Sequence, residues 1–250
     1  MHRWFGRFLK GKDGDALSAR VQYFMRGENA WHTAADWPPP ETEACAYYLS
    51  TDGSLVTAIP EQGTASYLAD PTKPTPSFIK DRKGHGLTAD WSEINDREDV
   101  LVYQTAPLEK AVSIVGEVRM MLYAASSADD TDFACRLLDI APDGTAMEMA
   151  AGIIRASYRK GFFQKDFIVP DVVTQYSIHV GHTAVCFQPG HRIGVQIISY
   201  LYPDHDRNLN TSVPSYLGTK TVIARQTVHM GAATPTCIIL PVLKQAKEEQ

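Results

Sequence analysis

Val112-Ser113-Ile114-Val115-Gly116-Glu117-Val118-Arg119-Met120-Met121-Leu122 is the stretch that decides the fold. Val112, Ile114, Val118, Met120 and Leu122 fall on one side of an extended chain, with Glu117 and Arg119 on the other, because successive side chains of a strand point to opposite faces. This is the pattern of a half-buried β-strand running across a glycine at 116. The same period of two recurs in Phe133 to Leu137, in Tyr176, Ile178 and Val180, and in Ile193, Val195 and Ile197. It recurs again in Val222, Ala224, Val228 and Met230, where Gln226 interrupts. Turn words such as Pro142-Asp143-Gly144 and Pro189-Gly190 separate these runs, so the spacing predicts an all-β sandwich.

Outside the strands, Trp4, Phe5, Phe8 and Leu9 stand at helical spacing and predict a short N-terminal helix. Ile59 to Asn95 is rich in Pro, Gly, Thr and Asp, with Pro71, Pro74 and Pro76 too close together for a central strand, and reads as a long irregular loop. Long loops in compact domains tend to carry function, which makes it the first place to seek a binding surface. The polar residues 244–250 read as a frayed tail.

The 250 residues, 44% hydrophobic and 21% charged, suit one large globular domain. The 24 basic and 29 acidic residues leave a net charge of −5 without long runs, so neither a nucleic-acid nor a membrane partner is expected. Cys45, Cys135, Cys186 and Cys237 are far apart with no C-x-x-C pairing, which argues against a zinc site or a disulfide framework; Cys135 alternates with Phe133 and Leu137 as a buried thiol would. Met1 to Lys12 lacks a continuous apolar run, and nowhere do 18 apolar residues stand together, so a cytoplasmic location is expected.

Chemistry-bearing patterns are few. A serine hydrolase of the α/β type places its nucleophile on a G-x-S-x-G elbow, and no such pentapeptide occurs. Asp204-His205-Asp206 imitates a base between two orienting carboxylates, but adjacent residues of an extended segment point apart, so a polar loop is expected in which Asp206, Asn208 and Asn210 form Asx-turns. His179 and His182, three apart on a strand, are expected to face opposite sides and so not to pair on a metal. Asp129, Asp130 and Asp132 lack the glycine and spaced oxygens of a calcium loop and read as a solvated turn. Trp31, Trp37, Tyr47 and Tyr48 could form a sugar-stacking platform; sandwich core is the expectation. No catalytic residue, metal or cofactor is expected within these residues.

The order of these words resembles the C-terminal jelly-roll domain of the X-prolyl dipeptidyl peptidase and cocaine esterase (CocE/NonD) family of serine hydrolases. Arg3-Trp4-Phe5 with Phe8-Leu9-Lys10-Gly11 resembles the helix and exit that follow the catalytic histidine in that family. Tyr67, Asp70-Pro71 and Pro74-x-Pro76 match its tyrosine and Asp-Pro pattern, with Lys73 where a second aspartate is usual. Asp96 to Tyr103, Thr131-Asp132-Phe133, Pro142-Asp143-Gly144, Gly152-x-x-Arg155, Pro189-Gly190-His191-Arg192 and Asp206-Arg207-Asn208-x-Asn210-Thr211 follow in the family's order.

The resemblance implies a galactose-binding-like jelly-roll sandwich over residues 21–243, preceded by a linker helix over 1–20 from a hydrolase domain. It implies an accessory role: packing on an α/β-hydrolase domain or subunit and lining its acyl pocket, with self-association as a further possibility. Trp4, Phe5 and Phe8 are the expected docking face, and Phe78 and Ile79 the expected pocket wall. The alternative is a carbohydrate- or peptide-binding module of the same fold class; a third reading, an enzyme with an unrecognised nucleophile near His205, requires a serine that no motif marks.

Overall fold

The computed structural model describes residues 2–11, 19–77 and 90–244, with side chains from Phe5 onward in the N-terminal helix α1 (His2–Lys10). The deciding stretch becomes β7 (Val112–Ser126), whose Ile114, Val118, Met120, Leu122 and Ala124 are fully buried while Arg119 faces solvent. Along one edge β7 pairs with β10 (Thr174–Phe187). Its other edge is shared by β13 (Cys237–Leu243) and then β12 (Ala224–Met230). Gly116, at φ 141°, leaves room for the rings of Pro38 and Pro241, which would lie 3.0 and 3.1 Å from a Cβ there.

A seven-stranded antiparallel sheet results, in the order β4 (Leu55–Val56), β3 (Thr42–Leu49), β13, β7, β12 and β5 (Gly63–Ala69), with β10 on the far edge of β7. The second sheet runs β6 (Leu101–Gln104), β11 (Arg192–Ile198), β8 (Asp132–Ile140) and β9 (Ala146–Arg155), also antiparallel. The core lies between them: Met120, Leu122 and Ile178 of the first sheet meet Phe133, Leu137, Val195 and Ile197 of the second, and the Phe133 and Tyr176 rings stand 4.8 Å apart. The outer face of the four-stranded sheet is covered too. A one-turn 3-10 helix, Trp91–Ile94, packs there on Ala134, Leu138 and Ile198, so β8 is buried on both faces. A separate hairpin, β1 (Val21–Met25) with β2 (Ala30–Ala34), is tied to β10 by Arg26 N–H to Ala184 O at 3.1 Å and Cys186 N–H to Arg26 O at 2.8 Å.

The β-sandwich is as expected, and four details differ. Ile59 to Asn95 contains β5, which pairs with β12 and turns Tyr67 and Ala69 into the core; the clustered prolines begin only after it. Gln226 does not interrupt its strand but points inward, fully buried, donating to Thr131 Oγ1 at 2.7 Å, while Val222 lies outside β12. Trp31 and Trp37 are not sandwich core: Trp31 is 74% exposed on the hairpin, edge-on to Phe24 at 5.6 Å, and Trp37 is partly buried against a separate cluster of Met25, Val115 and Cys186, whereas Tyr47 packs on the core as expected and Tyr48 is half-buried. Asp130 and Asp132, expected in a solvated turn, are buried. The four cysteines form no disulfide, and Cys135 is fully buried. Among the described residues, no helix is long and apolar enough to cross a membrane.

Candidate functional site

Words far apart in the sequence meet around Asp132. Arg155, its cross-strand neighbour, donates Nε to Oδ1 at 2.9 Å and a terminal nitrogen to Oδ2 at 3.1 Å, and Asn208 Nδ2 donates to Oδ1 at 3.0 Å. Asp130 accepts from the Thr131 and Ser157 backbone N–H and the Ser157 hydroxyl, each at 3.0 Å. Thr131 Oγ1 donates to Asn210 Oδ1 at 2.9 Å, and Asn210 Nδ2 donates to the carbonyls of Ala69 and Val222 at 3.0 and 2.8 Å. Burial pushes the Asp132 and Asp130 carboxyls upward, opposed by Arg155 and Asn208 in one case and by Ser157 in the other; bonding to Asp132 holds the Arg155 guanidinium above its usual value. The network ties the 130s, 150s and 208–210 segments into one body, and its Ser157 and Thr131 hydroxyls donate to a carboxylate and an amide oxygen rather than to an imidazole. Thr131, Asp132, Arg155, Asn208 and Asn210 belong to the ordered words of the sequence, and their hydrogen bonds here hold segments together.

An open cleft of about 410 Å³ is lined by Ser77, Arg136, Glu148, Val180, Gly181, His182, Leu201, Asp204 and His205 among others. Its floor is Arg136, fully buried on β8, with Nε 3.0 Å from Glu148 Oε2 and its guanidinium 3.6 Å above the Trp91 ring. Burial lowers the Arg136 pKa to about 10 against the pull of Glu148, and burial raises Glu148 against the pull of Arg136. Arg136 also donates to the Pro76 carbonyl, and Gln196 donates to the Trp91 carbonyl at 3.1 Å and to Asn95 Oδ1 at 2.7 Å. The chain on either side of residues 78–89 is therefore pinned to one buried cation. Sequence reading missed Arg136 because an arginine inside Phe133 to Leu137 passes for the solvent side of a half-buried strand; β8 is covered on both faces.

The expected site residues fall as follows. Phe78 and Ile79 lie outside the described residues, directly after Ser77 at the cleft, and so does the Trp4 side chain. Phe5 and Phe8 of α1 are 43% and 59% exposed. Asp204, His205 and Asp206 are exposed, and among the described residues neither carboxylate hydrogen-bonds the His205 ring. Asn208 makes the expected Asx-turn, accepting from Asn210 N–H at 2.9 Å; Asp206 instead offers its carbonyl to Arg155 at 3.2 Å.

His179 and His182 correct the sequence reading: a β-bulge at Val180 shifts the register between His179 and Gly181, so both rings stand on the outward face, 5.5 Å apart. An inserted residue turns a three-residue spacing into a same-face spacing, which strict alternation does not allow.

Two stacked antiparallel sheets, joined through a buried polar network, define a β-sandwich module. The family described as the X-Pro dipeptidyl-peptidase C-terminal non-catalytic domain matches residues 16–239, and the chain belongs to that family. It is 36% identical to the cocaine esterase of Rhodococcus sp. (strain MB1 Bresler), over 98% of this chain and 46% of that protein. Among solved structures it is similar to an aminopeptidase from a marine sediment Thaumarchaeota archaeon, with TM-score 0.88, 32% identity and coverage of 98% of this chain and 44% of that one. An α-amino acid ester hydrolase matches with TM-score 0.87, 28% identity and coverage of 96% and 44%. The chain spans less than half the length of these relatives.

Proposed function

We propose that this chain is the accessory β-domain of a serine hydrolase acting on acyl esters or peptides, seated on an α/β-hydrolase domain or subunit and completing the wall of its active site. The observation that carries the reading is the cleft beside Ser77, whose buried Arg136 anchors the carbonyl of Pro76 while Gln196 anchors that of Trp91. A rigidly held exit and return suit a segment that must present side chains to a partner's pocket. Phe78 and Ile79 are the side chains we assign to that wall. The exposed Phe5 and Phe8 of α1 support this helix as part of the docking face. Four thiols without a disulfide suit a cytoplasmic location.

The test is a chimera in which these 250 residues replace the matching segment of an esterase relative. The expected result is an active esterase whose KM for a bulky acyl ester rises about tenfold in the Phe78→Ala, Ile79→Ala double variant, the scale of lost apolar contact from two side chains. An active chimera whose KM and kcat are untouched by that double variant removes the pocket-wall assignment.

A further inference from the structure

Glu117, His179 and His182 converge where β7 meets β10. The cross-strand register sets His182 opposite Glu117 and His179 opposite Arg119, and the bulge at Val180 brings both imidazoles to the side of the sheet that carries Glu117. One ligand atom from each of the three residues lies within 4.8 Å of the other two. The backbone sets the face on which both imidazoles stand: Gly181 has φ 135°, and on β9 a Cβ at Gly152 would lie 2.0 Å from the His179 carbonyl, so two glycines make room for the bulge.

The geometry points to a binding site for a divalent transition-metal cation, Zn²⁺ or Ni²⁺ in class, held by Glu117, His179 and His182. Two imidazoles and one carboxylate form a nitrogen-rich donor set that suits these ions rather than Ca²⁺ or Mg²⁺, and three protein ligands leave a coordination position for water or another donor. Metal–ligand bonds of about 2.0–2.2 Å require ligand atoms about 3.4 Å apart in a tetrahedron, so the site closes by roughly an ångström on loading. Half-exposed side chains have that freedom; His179 is 55% exposed.

Two neighbours set the strength of binding. Arg119 lies 2.7 Å from Glu117 Oε1 and places a competing cation beside the carboxylate. The Trp37 indole N–H donates to His182 Nδ1 at 3.1 Å, and since indole only donates, Nδ1 is the accepting nitrogen and Nε2 carries the hydrogen. A metal bound at Nδ1 displaces that indole N–H, and a metal bound at Nε2 moves the hydrogen to Nδ1, where indole no longer has an acceptor. Either way Trp37 reports on loading.

The experiment titrates the whole chain, stripped with chelator, with Zn²⁺ alone, by calorimetry and by indole fluorescence. One Zn²⁺ per chain at micromolar affinity is expected, with a fluorescence change that Trp37→Phe abolishes. His179→Gln and His182→Gln each weaken binding at least tenfold, while Arg119→Gln tightens it severalfold. Circular dichroism in chelator confirms that the variants fold; Arg119, His179 and His182 are exposed and Trp37 is partly buried, and a histidine variant that does not fold is replaced by His179→Asn or His182→Asn. Absence of binding at 1 mM Zn²⁺, or binding that survives intact in the His179→Gln, His182→Gln double variant, overturns the assignment.

Discussion

Replacing Gly152 by alanine tests the packing on which the rest depends. The added Cβ would lie 2.0 Å from His179 O and 2.7 Å from Val180 Cα, against an ordinary contact of 3.4 Å or more. Neither side can yield cheaply. Gly152 is paired with Cys135 in the four-stranded sheet and His179 with Arg119 in the other, so the obstruction is backbone against backbone between two sheets. The shortfall of about 1.4 Å sets the cost at the upper end of overpacking, about 3 kcal/mol. At about 2–4 °C per kcal/mol for a chain of this size, thermal melting followed by circular dichroism in chelator should show Tm falling by roughly 6–12 °C. Because the same carbonyl belongs to the bulge, the variant should also spread His179 from His182. A Tm within about 2 °C of the unaltered chain refutes the account of why β9 carries glycine there.

Further outcomes follow from the buried charges and thiols. Arg155→Ala leaves the Asp132 carboxylate buried without its cation and should cost about 3–5 kcal/mol by chemical denaturation, while Asp132→Ala with Arg155→Ala should cost clearly less than the two single losses added. Burial raises the Asp130 carboxyl in the folded chain, so folding takes up a proton there: its contribution to stability grows as pH falls through the raised folded value and levels off below the unfolded value of about 4. The stability difference between the unaltered chain and Asp130→Asn should therefore shift in favour of the unaltered chain between pH 7 and pH 4; a shift in the opposite sense contradicts the desolvation cause. Native-state labelling with a thiol reagent should modify the half-buried Cys45 long before Cys135, whose thiol is enclosed and pushed upward by burial, and equal rates would show that β8 is not covered on both faces.

The parts of the fold legible in the sequence are those where one face is wet and the other dry. The row from Ile114 to Leu122 shows its strand at once, because Glu117 and Arg119 alternate with it. Where that contrast fails, reading fails. β8 is dry on both faces, and Arg136 there is satisfied by Glu148, Gln196 and the Trp91 ring, partners 12 to 60 residues distant. Asp130 and Asp132 look like surface acids because their hydrogen-bond partners, Ser157, Arg155 and Asn208, lie 23 to 76 residues on. The bulge at Val180 has no signature beyond Gly181, and without it the two histidines cannot be placed on one face. Family resemblance did better than local chemistry for the same reason: its words preserve long-range contacts that no window of ten residues contains.

The central claim, a non-catalytic domain that completes a hydrolase, is tested most directly by treating the purified chain with a fluorophosphonate serine probe and then measuring ester hydrolysis by the α/β-hydrolase half of a relative with and without the chain added. The account predicts no labelled serine in this chain, and hydrolysis that increases on addition of the chain and saturates as the two halves associate. A serine labelled here only in the folded state, or hydrolysis by the partner half that is full without this chain and unchanged by it, would contradict it.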